Sequence, residues 1–102
     1  MQMDALRKQP SEELNYAIDF SADIDLAVTL TLVSCTALNL GTGVASTTTL
    51  IATSPAPAVV GQTVTFRIKA GGDGEHHKIT VQVSTSAGEK LEADLDVFVV
   101  EQ

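Results

Sequence analysis

Two adjacent histidines, His76 and His77, are the side chains that most readily suggest a chemical site in this sequence. Imidazole is a common zinc ligand, so the pair could form half of a tetrahedral zinc site. The surrounding residues alternate as in a strand, however, and neighbours on a strand point to opposite faces of the sheet. We therefore predict no metal site here. His77 is expected to be a partly buried ring at the sheet end, donating to a nearby carbonyl as the tyrosine of a tyrosine corner does.

A group of carboxylates is a candidate calcium site. Its members are Glu12, Glu13, Asp19, Asp23 and Asp25. Calcium takes about 6 to 8 oxygen ligands, but this spacing lacks the glycine and the closing glutamate of an EF-hand loop. The sequence favours a solvated acidic loop.

Motifs of common catalytic and phosphate-binding sites are missing from the sequence. There is no serine elbow with a matching histidine and acid, and Cys35 lies in an apolar run, where a lone cysteine is typically a small buried hydrophobe. The glycine-rich stretch 71–74 is not followed by the Lys-Ser/Thr of a phosphate-binding loop. We predict a non-enzymatic protein without a cofactor.

Size and charge narrow the functional classes further. A chain of 102 residues is expected to form one domain, and a net charge of −7 argues against binding to nucleic acid or to an anionic membrane. The start of the chain lacks the apolar region, about 7 to 15 residues long, of a secretory signal, and no apolar stretch approaches the ~18 residues that span a bilayer. We expect a soluble chain folded in a reducing cytosol.

The clearest structural pattern is a C-terminal hairpin between residues 76 and 100. Two runs alternate apolar and polar side chains, and placing both apolar sets on one side of the sheet leaves a three-residue loop, Ser86-Ala87-Gly88. Gly88 is expected in the left-handed conformation that the last position of such a loop needs. The register pairs His77 with Val97, Ile79 with Leu95, Val81 with Ala93, Val83 with Leu91, and, on the other face, Lys78 with Asp96 and Ser84 with Lys90.

Alternating segments elsewhere complete an all-β fold. Strands are predicted at 14–20, 27–33, 35–40 and 64–69, the register around 47–53 stays open, and Pro55 and Pro57 exclude a central strand. We predict an immunoglobulin-like antiparallel β-sandwich of about six or seven strands over residues 14–102, with a small Greek-key barrel as the alternative.

Residues 1–13 are polar and lack sustained periodicity, which predicts an N-terminal arm that becomes ordered only when something holds it. Deleting residues 1–8 is expected to leave the domain folded and to weaken assembly. Phe98 and Val100 fall on an otherwise acidic face of the last strand, which indicates either a contact surface or a site covered by the arm.

Three stretches resemble the fiber-tail adaptor proteins, a family of short phage virion proteins. Lys8-Gln9-Pro10 matches the family's Lys-x-Pro lead, the strand 14–20 matches its Leu-x-Tyr-x-hydrophobic-Asp-aromatic pattern with Tyr16 and Phe20, and Thr85-Ser86-Ala87-Gly88 matches its hairpin turn. Two positions depart from the pattern. His77 stands in the place of a tyrosine, and Phe20 stands where tryptophan is frequent.

The resemblance implies a structural component of the virion, assembled in the host cytoplasm and located at the neck or tail. Its partners would be portal or connector, tail and fiber proteins, and several copies would sit in a ring. The residues expected to carry structural or interface roles are Lys8, Pro10, Tyr16, Phe20, His77, Gly88, Phe98 and Val100. An accessory carbohydrate-binding domain is the alternative, but sugar binders usually expose aromatic platforms, whereas Tyr16 and Phe66 have core parity.

Overall fold

The computed structural model describes residues 2–25 and 27–101 and contains eight strands. In chain order they are β1 (Gln2–Lys8), β2 (Leu14–Asp19), β3 (Leu30–Asn39), β4 (Val44–Ala45), β5 (Ala58–Val60), β6 (Thr63–Ile68), β7 (His76–Thr85) and β8 (Lys90–Val99). A 3-10 turn at Ser21–Asp23 and a one-turn helix α1 at Thr47–Leu50 complete the described elements. Neither helix is long and apolar enough to cross a membrane.

The strands form two sheets. Sheet A has the order β1-β8-β7-β3-β4, and sheet B has the order β2-β6-β5. Strand β1 runs parallel to β8, and the other pairs are antiparallel. The predicted all-β class is confirmed.

One hydrophobic core joins the two sheets, because each contributes one apolar face to it. Sheet B supplies Ile18, Val64, Phe66 and Ile68, and sheet A supplies Ile79, Val81, Val83, Ala93, Leu95, Val97 and Val99; all are at most 3% exposed. With few aromatic residues available, the interior is filled mainly by branched aliphatic side chains.

The hairpin of β7 and β8 has the predicted register at every pair named above. Gly88 has φ +87°. The loop is closed by hydrogen bonds from the Thr85 N–H to the Glu89 carbonyl at 2.8 Å and from the Gly88 N–H to the Thr85 carbonyl at 3.0 Å. The turn residues and the alternation of apolar and polar side chains are both local features of the sequence. They were therefore sufficient to predict the register of this hairpin.

One expectation about the elements was wrong. The separate strands predicted at 27–33 and 35–40 are one strand, β3, with a register irregularity between Leu32 and Ser34. A bulge inserts one extra residue into a strand and so reverses which residues point to each face of the sheet. The alternation of apolar and polar residues therefore breaks in the middle of β3, as it would between two separate strands.

Residues 2–8 of the predicted arm form β1, and β8 is the strand that holds them. Met1, the first residue of the predicted arm, lies outside the described residues.

Candidate interaction site

Lys8 ends β1 with its ammonium group inside the protein. The side chain is 1% exposed, and its Nζ donates to the carbonyl of Gln9 at 2.7 Å, to that of Pro10 at 3.4 Å and to that of Ala70. Burial lowers the pKa of Lys8, and the carboxylates of Glu12 and Glu13 partly oppose this effect. The bond to Ala70 therefore connects the end of β1 to the segment that follows β6, while the bonds to Gln9 and Pro10 are local.

The Lys-x-Pro lead thus has a structural explanation. Pro10 contributes its carbonyl to the Lys8 ammonium, and the Gln9 N–H donates to Glu12 Oε1 at 2.7 Å, which shapes the turn toward β2. The chain beyond β8 is held in the same place, since the Val100 N–H donates to the Lys8 carbonyl at 2.8 Å.

His77 is buried at the end of β7, as predicted, but its partners are not backbone carbonyls. Its Nδ1 lies 2.8 Å from the Ser46 hydroxyl, and its Nε2 lies 2.9 Å from Glu75 Oε1. Glu75 also accepts the Gly72 N–H at 2.7 Å. The Gly72 bond and then the His77 contact lower the pKa of Glu75.

The order of these three groups resembles a catalytic triad, but its geometry does not suit catalysis. In serine hydrolases the serine approaches Nε2 and the acid holds Nδ1; here the two nitrogens are exchanged. Ser46 and His77 are 7% and 2% exposed, so neither offers a reactive atom to a substrate. The chain of hydrogen bonds connects the residue before α1 to β7 and stabilises this end of the sandwich.

Sequence reasoning missed Ser46 and Glu75. Glu75 lies two residues before His77, the spacing that places two side chains on the same face of a strand, so that contact had a local signal. Ser46 had none, because it reaches His77 only through the folding of β3 and β4.

An exposed apolar patch lies on the outer face of sheet A. Phe98 is 39% exposed and stacks on the His76 ring with centroids 4.2 Å apart. Leu38 and Leu40, which are 39% and 42% exposed, lie on and just after the neighbouring β3. We call Leu38, Leu40, His76 and Phe98 the outer patch.

Polar and charged side chains surround the outer patch. His76 Nε2 is 3.3 Å from Asp96 Oδ1, Lys78 Nζ is 3.5 Å from Asp94, and the Thr80 hydroxyl donates to Asp94 at 3.0 Å. Strand β1 lies beside β8 and leaves Phe98 exposed, so it does not cover the apolar groups. Val100, by contrast, is half-buried, and its N–H donates to the Lys8 carbonyl of the predicted arm. The two interpretations of this face stay predictions.

The other predicted residues serve the fold. Phe20 is 1% exposed, and half-buried Tyr16 packs against Phe66 with ring centroids 5.9 Å apart. Burial raises the pKa of the Cys35 thiol to about 11, which keeps it protonated and unreactive near neutral pH.

The acidic segment near residue 20 does not gather into a metal site. Asp19 accepts the Ser21 N–H at 2.8 Å, and this bond lowers the pKa of Asp19. The side chain of Asp23 lies outside the described residues. Among the side chains that are described, no group of three His, Cys, Asp or Glu residues could hold a metal ion.

Comparison with known proteins connects the chain to a family. The sequence model of the family described as "Podophage GP4 fiber-tail adaptor protein gp77" matches residues 8–98. This range includes the Lys8 lead, the first strand of sheet B and the hairpin. No curated protein matches the chain.

Proposed function

Since the chain belongs to the podophage fiber-tail adaptor family, we propose that it is a structural connector between the fibers and the tail or connector of a phage particle. A family of structural adaptors is a family of virion components, and their partners are other tail and fiber proteins. We place this chain in the neck or tail region, in several copies arranged as a ring, in contact with the portal or connector. Assembly in the host cytoplasm, without binding to nucleic acid, is part of the proposal.

The outer patch is the observation that supports a connecting role. Its three exposed apolar side chains lie on a face that also carries the Lys78–Asp94 ion pair and hydrogen-bonded polar groups. A clustered apolar surface of this kind marks a site of protein contact, whereas single exposed apolar residues do not. The stacked His76 and Phe98 rings also restrict each other, which reduces the entropy lost when a partner covers them.

An immunoglobulin-like topology is part of the proposal. In such sandwiches one sheet contains strands G, F and C side by side, and the other contains B, E and D. The order β8-β7-β3 corresponds to the first set, and the order β2-β6-β5 corresponds to the second. This agreement in strand order supports the assignment.

The division of the chain into an arm at residues 1–13 and a domain at 14–102 also stays a proposal. Among the described side chains of β1, Ala5 and Arg7 are exposed, Leu6 is half-buried, and Lys8 is buried. A strand with so few buried side chains could serve contacts between subunits as well as its own domain.

The proposed role is tested in phage particles that carry altered copies of the chain. Phe98→Ser is expected to lower the number of copies per purified virion, measured by quantitative mass spectrometry, while a melting curve shows that the isolated chain stays folded despite the loss of the stack on His76. Val60→Ser is the matched control, because Val60 is an exposed apolar residue of β5 in the other sheet, 63% exposed. Equal incorporation of both variants would show that the outer patch is not part of the interface. Absence of the wild-type chain from virions would contradict the connecting role.

A further inference from the structure

The outer edge of β2 is an unprotected edge of sheet B. Strand β2 is the end strand of this sheet, and its pairing with β6 is regular over all six residues, Leu14–Asp19. No other strand of the described part of the chain pairs with it. Natural proteins usually protect such edges with prolines, lysines, bulges or very short strands, because an open edge attracts another strand.

The other edge of sheet B carries such protection, and β2 does not. Strand β5 has three residues and lies between Pro57 and Gly61, whereas β2 contains neither proline nor lysine and its register has no shift. Asp19, the last residue of β2, is its one charged side chain.

One hydrogen bond shows which backbone N–H and C=O groups of β2 point toward β6 and which point away from the sheet. The Phe20 N–H donates to the carbonyl of Gln62 at 2.9 Å, and Phe20 lies opposite Gln62 when the register of β2 and β6 is continued. Hydrogen-bonded pairs alternate along antiparallel strands, so Tyr16 and Ile18 also direct their backbone groups toward β6. The N–H and C=O groups of the alternate residues, Asn15, Ala17 and Asp19, therefore point away from the sheet.

The side chains next to this edge are incompletely covered. Leu14, Tyr16 and Ile18 face the same side of β2, but only Ile18 is fully buried, at 1% exposed, while Leu14 and Tyr16 are half-buried. A further strand along β2 would cover both and would satisfy the outward backbone groups, as in recognition by strand addition.

We propose that the outer edge of β2 receives an extended segment of a tail or fiber protein that carries a lysine or arginine near Asp19. The proposal rests on the connecting role above and names the surface and the kind of segment that it uses. The Asp19 carboxylate lies at one end of the edge and accepts the Ser21 N–H at 2.8 Å, whereas Glu13, at the other end, already lies 4.0 Å from Arg67. Asp19 is therefore the charged group of this edge that a basic segment would meet. The whole chain carries −7, so a basic segment is electrostatically favoured over a second copy of this chain.

A pair of substitutions at Ala17 tests the edge. Ala17→Pro removes an outward N–H and places a ring in the path of the added strand, but breaks no bond to β6, so an edge strand should tolerate it. Ala17→Val keeps the N–H and is the control. We expect both chains to melt like the wild type, and incorporation of Ala17→Pro into virions to fall about tenfold or more relative to Ala17→Val. Equal incorporation of two folded variants would overturn the edge proposal while leaving the connecting role intact.

Amide hydrogen exchange supplies a second test that needs no substitution. In the free chain the amides of Asn15, Ala17 and Asp19 should exchange fast and those of Tyr16 and Ile18 slowly, which gives an internal control on every other residue. In tail complexes released from virions, the three fast amides should become protected by at least about tenfold. Unchanged fast exchange would contradict the proposal, as would crosslinks showing that β2 pairs with a second copy of this chain. If the wild-type chain is missing from virions, the connecting role and the edge proposal fail together.

Discussion

Replacing Lys8 with methionine tests whether the buried ammonium stabilises the fold. Methionine keeps most of the length and the apolar stem of lysine, but it removes all three donors. The carbonyls of Gln9, Pro10 and Ala70 then lose a partner at partly buried positions, although Lys8 itself is 1% exposed. The end of β1 also loses its connection to the segment after β6.

The expected magnitude follows from two opposing effects. Hydrogen bonds to a charged group contribute roughly 1.5 to 3 kcal/mol each. The bonds to Gln9 and Ala70 are the two short ones, whereas the one to Pro10 is long at 3.4 Å. Two good bonds therefore give roughly 3 to 6 kcal/mol, and the desolvation of a buried ammonium, which methionine avoids, offsets several kcal/mol of this. We expect a net loss of about 2 kcal/mol in the free energy of unfolding.

Urea unfolding and thermal melting of the isolated chain measure this loss. For a domain of this size, 2 kcal/mol corresponds to a decrease in melting temperature of about 8 to 16 °C. Arg7→Met is the control, because Arg7 precedes Lys8 on the same strand but is exposed, and its substitution should change stability by less than about 0.5 kcal/mol. A Lys8→Met chain that is as stable as the wild type, or more stable, would contradict this expectation. It would show that the desolvation free energy of the buried ammonium equals or exceeds the stabilisation from its hydrogen bonds to the carbonyls.

Three further predictions use the same measurements. Gly88→Val should destabilise the chain by about 1 to 3 kcal/mol, because a β-branched residue resists the φ of +87° at this position; an unchanged melting temperature would count against strain in the turn. Glu75 has a lowered pKa in the folded state, so its contribution to stability is present above the ordinary glutamate pKa and is lost as the pH falls through the lowered one. The decline in stability below about pH 4.5 should accordingly be shallower in Glu75→Gln, and identical pH profiles would contradict the role of this carboxylate. Deleting residues 1–8, which the sequence alone predicted to leave the domain folded, is instead expected from the pairing of β1 with β8 to destabilise the isolated chain more than Lys8→Met does. A truncated chain that melts like the wild type would support the expectation from the sequence.

Local patterns in the sequence were sufficient for the hairpin and for the fold class. The alternation in β7 and β8 sets which faces are buried, and the glycine in the loop sets how the strands are joined, so the register followed without knowledge of the rest of the chain. The alternation likewise predicted that Tyr16 and Phe66 face the core. Phe66 is buried, and Tyr16 is half-buried against it.

Tertiary structure alone decided how distant segments meet. A polar run such as residues 2–8 has no side-chain periodicity to mark it as a strand, and it becomes one because the backbone of β8 offers a parallel partner. The buried state of Lys8 depends on the Ala70 carbonyl, and that of His77 on the Ser46 hydroxyl, and both partners are far away in the sequence. Hydrogen bonding between distant groups leaves no repeating pattern in the chain, because it is determined by how the two sheets pack and not by the period of either strand.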